Sequence, residues 1–344
     1  MRNPVTIGVA GAGSIGAYLG GRLAAAGHRV VLLGRQRLAD AVADQGLRLT
    51  ALDGFDQTVG ADALEITTDP AALAGCDLVL VTTKSHDTEP MARSLAPHLN
   101  NGTTVVSFQN GVRNPAVLRE RLPGMHVLAG MVPYNVIWTD AAHFHQGTSG
   151  SLVVETGEPL HHVARAVGEA FKQAELPMVL DEDIDAVQWG KLVVNLNNAT
   201  NALSGLPLQE QLADRDYRRA TAAAQREALA LITAAGFAVK RSGKMLPTLM
   251  PKILVAPDWL FRRVAAGMVK VDPQARSSMW EDLTRGRKTE IDYLNGEIVR
   301  LAESIGRQAP VNAAVCRLIH AAEQAQASPQ IGSQALLEQL GVRA

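Results

Sequence analysis

The chain is poor in cysteine: Cys76 and Cys316 are its two, far apart and in no CxxC spacing. That excludes a disulfide framework and argues against a zinc site. Both read as buried thiols rather than nucleophiles. Excess charge of either sign is also missing, with 33 Lys and Arg against 34 Asp and Glu. Neither nucleic acid nor an anionic membrane surface is therefore expected as a partner. No charge-free apolar run reaches the roughly 18 residues that a membrane span requires. The short apolar stretch from Val5 leads into glycines and a helical pattern instead of a cleavage site, so no secretory signal is read. Two thiols in a chain without an address fit the cytoplasm. Internal repeats and low-complexity tracts are lacking too.

What the chain has is enough apolar residue, 47% of 344, to bury a sizeable core, and a length that suits two domains. The most telling stretch is VTIGVAGAGSIG, Val5 to Gly16. A β-branched and apolar run feeds Gly11-Ala12-Gly13-Ser14-Ile15-Gly16, and the helix-forming residues from Ala17 to Ala26 follow at once. The order strand, glycine turn, helix matches the fingerprint of a dinucleotide site. Gly11 would permit the tight turn, Gly13 would let a pyrophosphate approach the backbone, and Gly16 would let helix and strand pack closely. The phosphates would then sit on the free amides at the positive end of the helix. Gly27-His28 closes the helix and His28 to Leu33 reads as a second buried parallel strand, which completes a βαβ unit of roughly 30 residues.

An NAD site usually carries Asp or Glu about 20 residues after the fingerprint, to accept from the ribose 2'-hydroxyl. Here Gly34-Arg35-Gln36-Arg37 occupies that region, and no acid appears before Asp40. A guanidinium suits a 2'-phosphate, so NADPH is the expected cofactor, with Arg35 as its reader and Arg37 better explained as a solvated loop residue.

Leu47 to Thr50 and Leu64 to Thr67 read as short strands of an edge extension. Asp77 to Lys84 and Thr103 to Phe108 read as central parallel strands with polar tails, ending in Lys84 and in Gln109-Asn110-Gly111. Ligands of open α/β sheets bind beyond the carboxyl ends of the strands, which makes Lys84 and Asn110 candidate cofactor contacts. Further strands are expected at His126 to Met131, Leu152 to Glu155 and Met178 to Leu180. Beyond Asp183 the period is helical throughout. The predicted fold class is thus an α/β Rossmann-type doubly wound sheet over residues 1–183, the nucleotide-binding domain, followed by an all-α substrate domain over 184–344, the candidate surface for a homodimer.

The first helix of the second half, from Ile184 to Asn198, carries Lys191, Asn195 and Asn198 at i, i+4 and i+7, one polar stripe on an apolar helix. Uncharged asparagines beside a single lysine suit a cleft that must be hydrogen-bonded better than a solvated face. Residues 210–236 read as another helix, and residues 243–273, bracketed by prolines, as a short-helix excursion acting as a lid or a subunit contact. Ser278 and Glu281 match a capping box. Ile291, Leu294, Ile298, Leu301 and Ile305 then mark the apolar stripe of a helix containing Glu290 and Asp292.

Taken together, these residues resemble the ketopantoate reductase (2-dehydropantoate 2-reductase) family. The resemblance rests on the Gly11 to Gly16 loop, Lys84, Gln109-Asn110-Gly111, Trp189-Gly190-Lys191-Leu192 with Asn195, Ser277-Ser278-Met279, and Thr289 to Gly296. The lysine and asparagine pair is shared with the wider 6-phosphogluconate-dehydrogenase-like group; the last two blocks are particular to ketopantoate reductases. The resemblance implies NADPH-dependent reduction of a small 2-oxo acid, 2-dehydropantoate to pantoate, on the route to pantothenate and coenzyme A. It implies Lys191 as the proton donor and Glu290 as the carboxylate that orients substrate or lysine. Asn110, Asn195 and Ser278 would contact substrate, joined by Asn198 from the polar stripe, and Lys84 would lie near the nicotinamide. The family commonly has an asparagine where this chain has Ala199, with Asn198 and Asn201 nearby as its two candidate replacements, a departure that bears on which oxo acid is used. The alternatives are a paralogous reductase of another 2-oxo or 3-hydroxy acid, and a non-catalytic NADPH-binding sensor, which would have no need of the polar stripe or of Glu290.

Overall fold

The computed structural model describes residues 5–241, 246–265 and 275–342. The chain divides into two compact units, Met1–Ile184 and Asp185–Ala344.

In the first unit the chain runs β1 (Thr6–Ala10), α1 (Ser14–Ala25), β2 (Arg29–Leu33), α2 (Gln36–Gln45), β3 (Leu47–Ala51), β4 (Asp56–Val59), β5 (Leu64–Thr67) and β6 (Leu78–Val81). It continues through α3 (Thr88–Leu95), β7 (Thr104–Ser107), α4 (Asn114–Arg121), β8 (His126–Met131), β9 (Val136–Asp140), β10 (His143–Gln146), β11 (Leu152–Glu155), α5 (His161–Gln173) and β12 (Met178–Asp181). Eight of these strands form one sheet in the order β12-β11-β8-β7-β6-β1-β2-β5. The pairings from β5 to β8 are parallel, whereas β11 meets β8 antiparallel and pairs β12 in parallel. Alternate side chains explain why these strands are apolar without interruption. Ile7, Val9, Val30, Leu32, Leu80 and Val106 enter one buried cluster. Ala10, Val31, Leu33, Val79, Val81 and Val105 enter another on the opposite face. The chain leaves β1 for β2 on one side, and β6 lies on the other, so the order reverses between β1 and β6. That reversal creates the crevice at which doubly wound folds take their ligands.

Leu64 to Thr67 does extend the edge of this sheet, as β5. Leu47 to Thr50 does not: β3 belongs to a separate four-stranded sheet, β4-β3-β10-β9. There Phe144 is buried and stacks 5.0 Å from Trp138.

The second unit contains no strand among its described residues. Its helices are α6 (Ile184–Asn195), α7 (Asn197–Ser204), α8 (Leu208–Ala213), α9 (Arg215–Ala234), α10 (Met250–Leu254), α11 (Asp258–Ala265), α12 (Ser278–Thr284), α13 (Asn295–Ser304), α14 (Pro310–Ala325) and α15 (Ser333–Gln339). The single helix expected over 210–236 is interrupted at Asp214, whose side chain caps α9 by accepting from Asp216 N at 2.8 Å. The described part of the proline-bracketed excursion is docked rather than free. Arg218, fully buried on α9, donates to the Leu212, Ala213 and Leu254 carbonyls and to Asp258, and Leu254 and Phe261 pack on Ala222. Residues 243–245 and 266–273 of that excursion lie outside the described residues. No helix among the described residues is long and apolar enough to cross a membrane.

Candidate active site

The glycine turn is held by backbone bonds. Gly11 N and Ala12 N both donate to the Leu33 carbonyl, at 3.1 and 2.9 Å, and Gly13 N donates to Gly11 O. Gly11 has φ +103°, a conformation that a residue with Cβ rarely adopts. A Cβ on Gly16 would lie 2.4 Å from Thr82 Oγ1 and 2.5 Å from Gly11 O, so α1 rests directly on the turn. Gly13 is different. It has an ordinary φ of −82°, stands at the N-cap of α1, and a Cβ there would meet nothing within 4 Å. The protein itself does not require glycine at that position. The open space over the helix N-terminus, with its unsatisfied first-turn amides, fits a dinucleotide pyrophosphate. Ala12 is buried, and Ser14 and Ile15 line the start of the helix, partly exposed.

Gly34 packs on Ala12, where a Cβ would come within 2.9 Å of the alanine methyl, and this brings the following residue, Arg35, beside the glycine turn. Arg35 is exposed and precedes α2. Arg37 instead lies 4.6 Å over the Trp138 ring.

At the same edge of the sheet, the loops after β6 and β7 are locked together. Gln109 Nε2 donates to Thr83 O and to Thr88 Oγ1, at 3.1 and 2.7 Å, and Ser107 Oγ donates to Gln109 Oε1. Asn114 and Ser85 both donate to the Asn110 carbonyl. Lys84 is partly buried, with its Nζ withdrawn from solvent, and Asn110 is partly buried. The sequence marks Gln109 only as part of its strand's polar tail and gives no signal for Ser85 or Asn114, which look like ordinary turn and cap residues.

In the second unit, α6 presents Trp189-Gly190-Lys191. Trp189 is buried and stacks on Phe237 at 5.4 Å. Gly190 lets the segment after α9 cross the helix: a Cβ there would lie 2.1 Å from the Lys240 carbonyl, and Lys240 N donates to Ala186 O at 2.9 Å. Burial lowers the Lys191 ammonium to a pKa of about 8, and the opposing influence is the charge of Glu290, which raises it. Lys191 and Glu290 are thus brought within electrostatic reach of each other from positions far apart in sequence. Glu290 does not sit in a helix, as the apolar stripe suggested. It precedes a 3-10 turn, Ile291–Tyr293, whose amides from Tyr293 and Leu294 donate to the Glu290 carbonyl. Thr289, buried, fixes the entry to that turn: its N donates to Glu323 Oε1, and its Oγ1 accepts from Ile291 N.

The polar stripe is broken. Lys191 and Asn195 share α6, but Asn198 belongs to α7, because the helix is interrupted at Leu196. Buried amides hold the interruption: Gln225 Nε2 donates to the Val193 carbonyl at 3.0 Å, and Asn197 is bonded to Gln211 and Thr221. Asn195 and Asn198 are both partly exposed. Asn201 is fully buried and committed, donating to Leu206 O and accepting from Ser277 N, while Ala199 is buried. Of Asn198 and Asn201, only Asn198 keeps exposed surface. The capping hydroxyl is shifted by one residue, which puts Trp280 rather than Glu281 at the third helical position, so no capping box forms. Ser277, not Ser278, is the N-cap of α12, accepting from Trp280 N and donating to Asn198 O. Ser278 is exposed in the first turn. Both cysteines are buried and free, with thiol pKa values pushed up by burial to about 11 and about 12.

Two family models match the chain: "Ketopantoate reductase PanE/ApbA" over residues 7–159 and its C-terminal counterpart over residues 183–323. A 2-dehydropantoate 2-reductase of Pyrococcus horikoshii is 28% identical over 321 residues, covering 92% of this chain and 96% of that protein. The crystal structure of a PanE/ApbA family ketopantoate reductase from Ralstonia eutropha superposes with a TM-score of 0.79 at 31% identity, over 94% of this chain and 99% of the other. D-mandelate dehydrogenase, solved with NADH and anilino(oxo)acetate, shares the fold with a TM-score of 0.78 at 18% identity, over 94% of this chain and 99% of its own.

Proposed function

Since the chain belongs to the ketopantoate reductase family, oxidoreductases that act on CH–OH groups, we propose that it reduces 2-dehydropantoate to pantoate with NADPH, in the cytoplasm and on the route to pantothenate. The observation that carries this reading is the desolvated Lys191 ammonium with the Glu290 charge near it.

The dinucleotide, when bound at the Gly11 to Gly16 turn, supplies the hydride to the ketone carbon. Negative charge then grows on the carbonyl oxygen. The Lys191 ammonium stabilises that charge and donates its proton to the oxygen. An ordinary lysine, with a pKa near 10.4, is a weak acid at neutral pH; at about 8 the proton is held loosely enough to transfer and firmly enough to be present. Glu290 limits the fall caused by burial, which keeps the lysine charged at pH 7. Asn110, Asn195, Asn198 and Ser278 hydrogen-bond the polar atoms of the substrate. Lys84 lies by the nicotinamide end of the dinucleotide and Arg35 by its 2'-phosphate.

The direct test is NADPH consumption on addition of ketopantoate, with other 2-oxo acids alongside. Fastest turnover with ketopantoate supports the proposal, and preference for another oxo acid replaces its substrate. Two variants examine its parts. Glu290→Gln removes the charge that raises the Lys191 pKa, so the ammonium is lost at lower pH and the alkaline decline in turnover moves to lower pH; an unmoved decline would separate Glu290 from Lys191. Arg35→Ala is expected to raise the KM for NADPH by roughly 10- to 100-fold, the equivalent of charge-assisted hydrogen bonds of about 1.5–3 kcal/mol, and to leave the KM for NADH unchanged. An equal rise for both cofactors would argue that Arg35 does not read the 2'-phosphate.

A further inference from the structure

The loop carrying Asn110 has no secondary structure of its own, yet its backbone is anchored by one buried side chain. Asn114, at the start of α4, is buried, and its amide is bonded at both ends. Its Nδ2 donates to the Asn110 carbonyl at 2.6 Å and to Ser85 Oγ at 3.1 Å, and its Oδ1 accepts from Thr88 Oγ1 at 2.8 Å. Ser85 Oγ donates to the same Asn110 carbonyl at 3.0 Å. Two donors, one from the start of α4 and one from the turn that directly follows Lys84, thus converge on one backbone oxygen.

We propose that Asn114 is a positioning residue: with Ser85 it fixes the Asn110 backbone, and so the direction of the Asn110 side chain, against the loop of Lys84. The bonds of Asn114 lie along a chain that begins with Ser107 and Gln109 and passes through Thr88, so the polar ends of β6 and β7 are tied to one another. A helix needs no such residue at this position. The N-cap of α4 is Arg113, which makes no side-chain capping bond, and the Asn114 side chain bonds back to the preceding loops instead of forward along the helix. An asparagine amide in one fixed orientation can donate twice and accept at once, which neither aspartate nor leucine can do.

The inference rests on Asn110 acting on substrate or cofactor, and the experiment separates the two claims. Asn110→Ala, Asn114→Leu, Ser85→Ala and the double variant Asn110→Ala/Asn114→Leu are compared by kcat, by KM for each substrate, and by thermal midpoint. Asn114→Leu is expected to lower kcat/KM by about 10-fold, the scale of a lost buried hydrogen bond, and to lower the thermal midpoint as well because buried partners are left unpaired, whereas Ser85→Ala should lower both by less. In the Asn110→Ala background, Asn114→Leu should cost little more, because the side chain it places is already gone. Losses that multiply in the double variant would overturn the proposal, as would parental kcat/KM in both Ser85→Ala and Asn114→Leu while Asn110→Ala is impaired. That second result would leave the role of Asn110 standing. An unimpaired Asn110→Ala would remove the role of Asn110 and the proposal together.

Discussion

Lys191→Ala is expected to reduce turnover by roughly 10²- to 10⁴-fold, the range for loss of a positioned proton donor, while dinucleotide affinity stays within about twofold of the parent. The two readouts separate because the glycine turn and Lys191 belong to different compact units. The loss should appear in kcat rather than in the KM for NADPH, since the interaction removed is one that strengthens as charge develops on the carbonyl oxygen. Lys191→Arg sharpens the point. A guanidinium keeps the positive charge but does not give up its proton at accessible pH, so it should restore substrate binding and leave most of the turnover deficit. An alanine variant with near-parental turnover would remove Lys191 from the chemistry.

The second large effect is expected at Gly13. Gly13→Thr should fold with a thermal midpoint near that of the parent, because threonine ranks with glycine at an N-cap and the added side chain meets no protein atom within 4 Å of its Cβ. The same side chain would fill the space assigned to the pyrophosphate. Overpacking of this kind costs about 1–3 kcal/mol, so NADPH binding should weaken by roughly 5- to 150-fold. Gly16→Thr is the contrast. Its Cβ would sit 2.4 Å from Thr82 Oγ1 and 2.5 Å from Gly11 O, so stability and cofactor affinity should fall together. Calorimetric titration with NADPH beside a thermal melt distinguishes the two positions. Parental affinity in Gly13→Thr would place the phosphates elsewhere.

The parallel sheet and the glycine turn were legible in the sequence because their causes are local. Strands buried on both faces must be apolar throughout, and a turn with φ +103° at Gly11 favours glycine. The small sheet was not legible. Three of the four residues of β4 are exposed, so no alternation announces a strand, and β3 is paired by β10, nearly a hundred residues later in the chain. The break after Asn195 was equally hidden. Its apolar period runs on unbroken, and the interruption depends on the buried amides of Gln225 and Gln211 and the buried hydroxyl of Thr221 on other helices. Ser277 and Ser278 both offer a capping hydroxyl, and the choice between them is made by Asn198 and Asn201, which bond to Ser277 across from α7. Lys191 was visible as a polar residue on an apolar helix. Its partner Glu290 was indicated only by family resemblance, since nothing local ties residues on α6 to the 3-10 turn before α13.

The ionisation of Lys191 governs the whole account, and the pH dependence of kcat for NADPH-driven ketopantoate reduction measures it. With the ammonium as acid and its pKa at about 8, turnover should be level below that pH and fall about tenfold per unit above it, and the decline should vanish in Lys191→Ala. Turnover that stays level through pH 8 and beyond in the parent, or a decline that persists unchanged in the alanine variant, would contradict it.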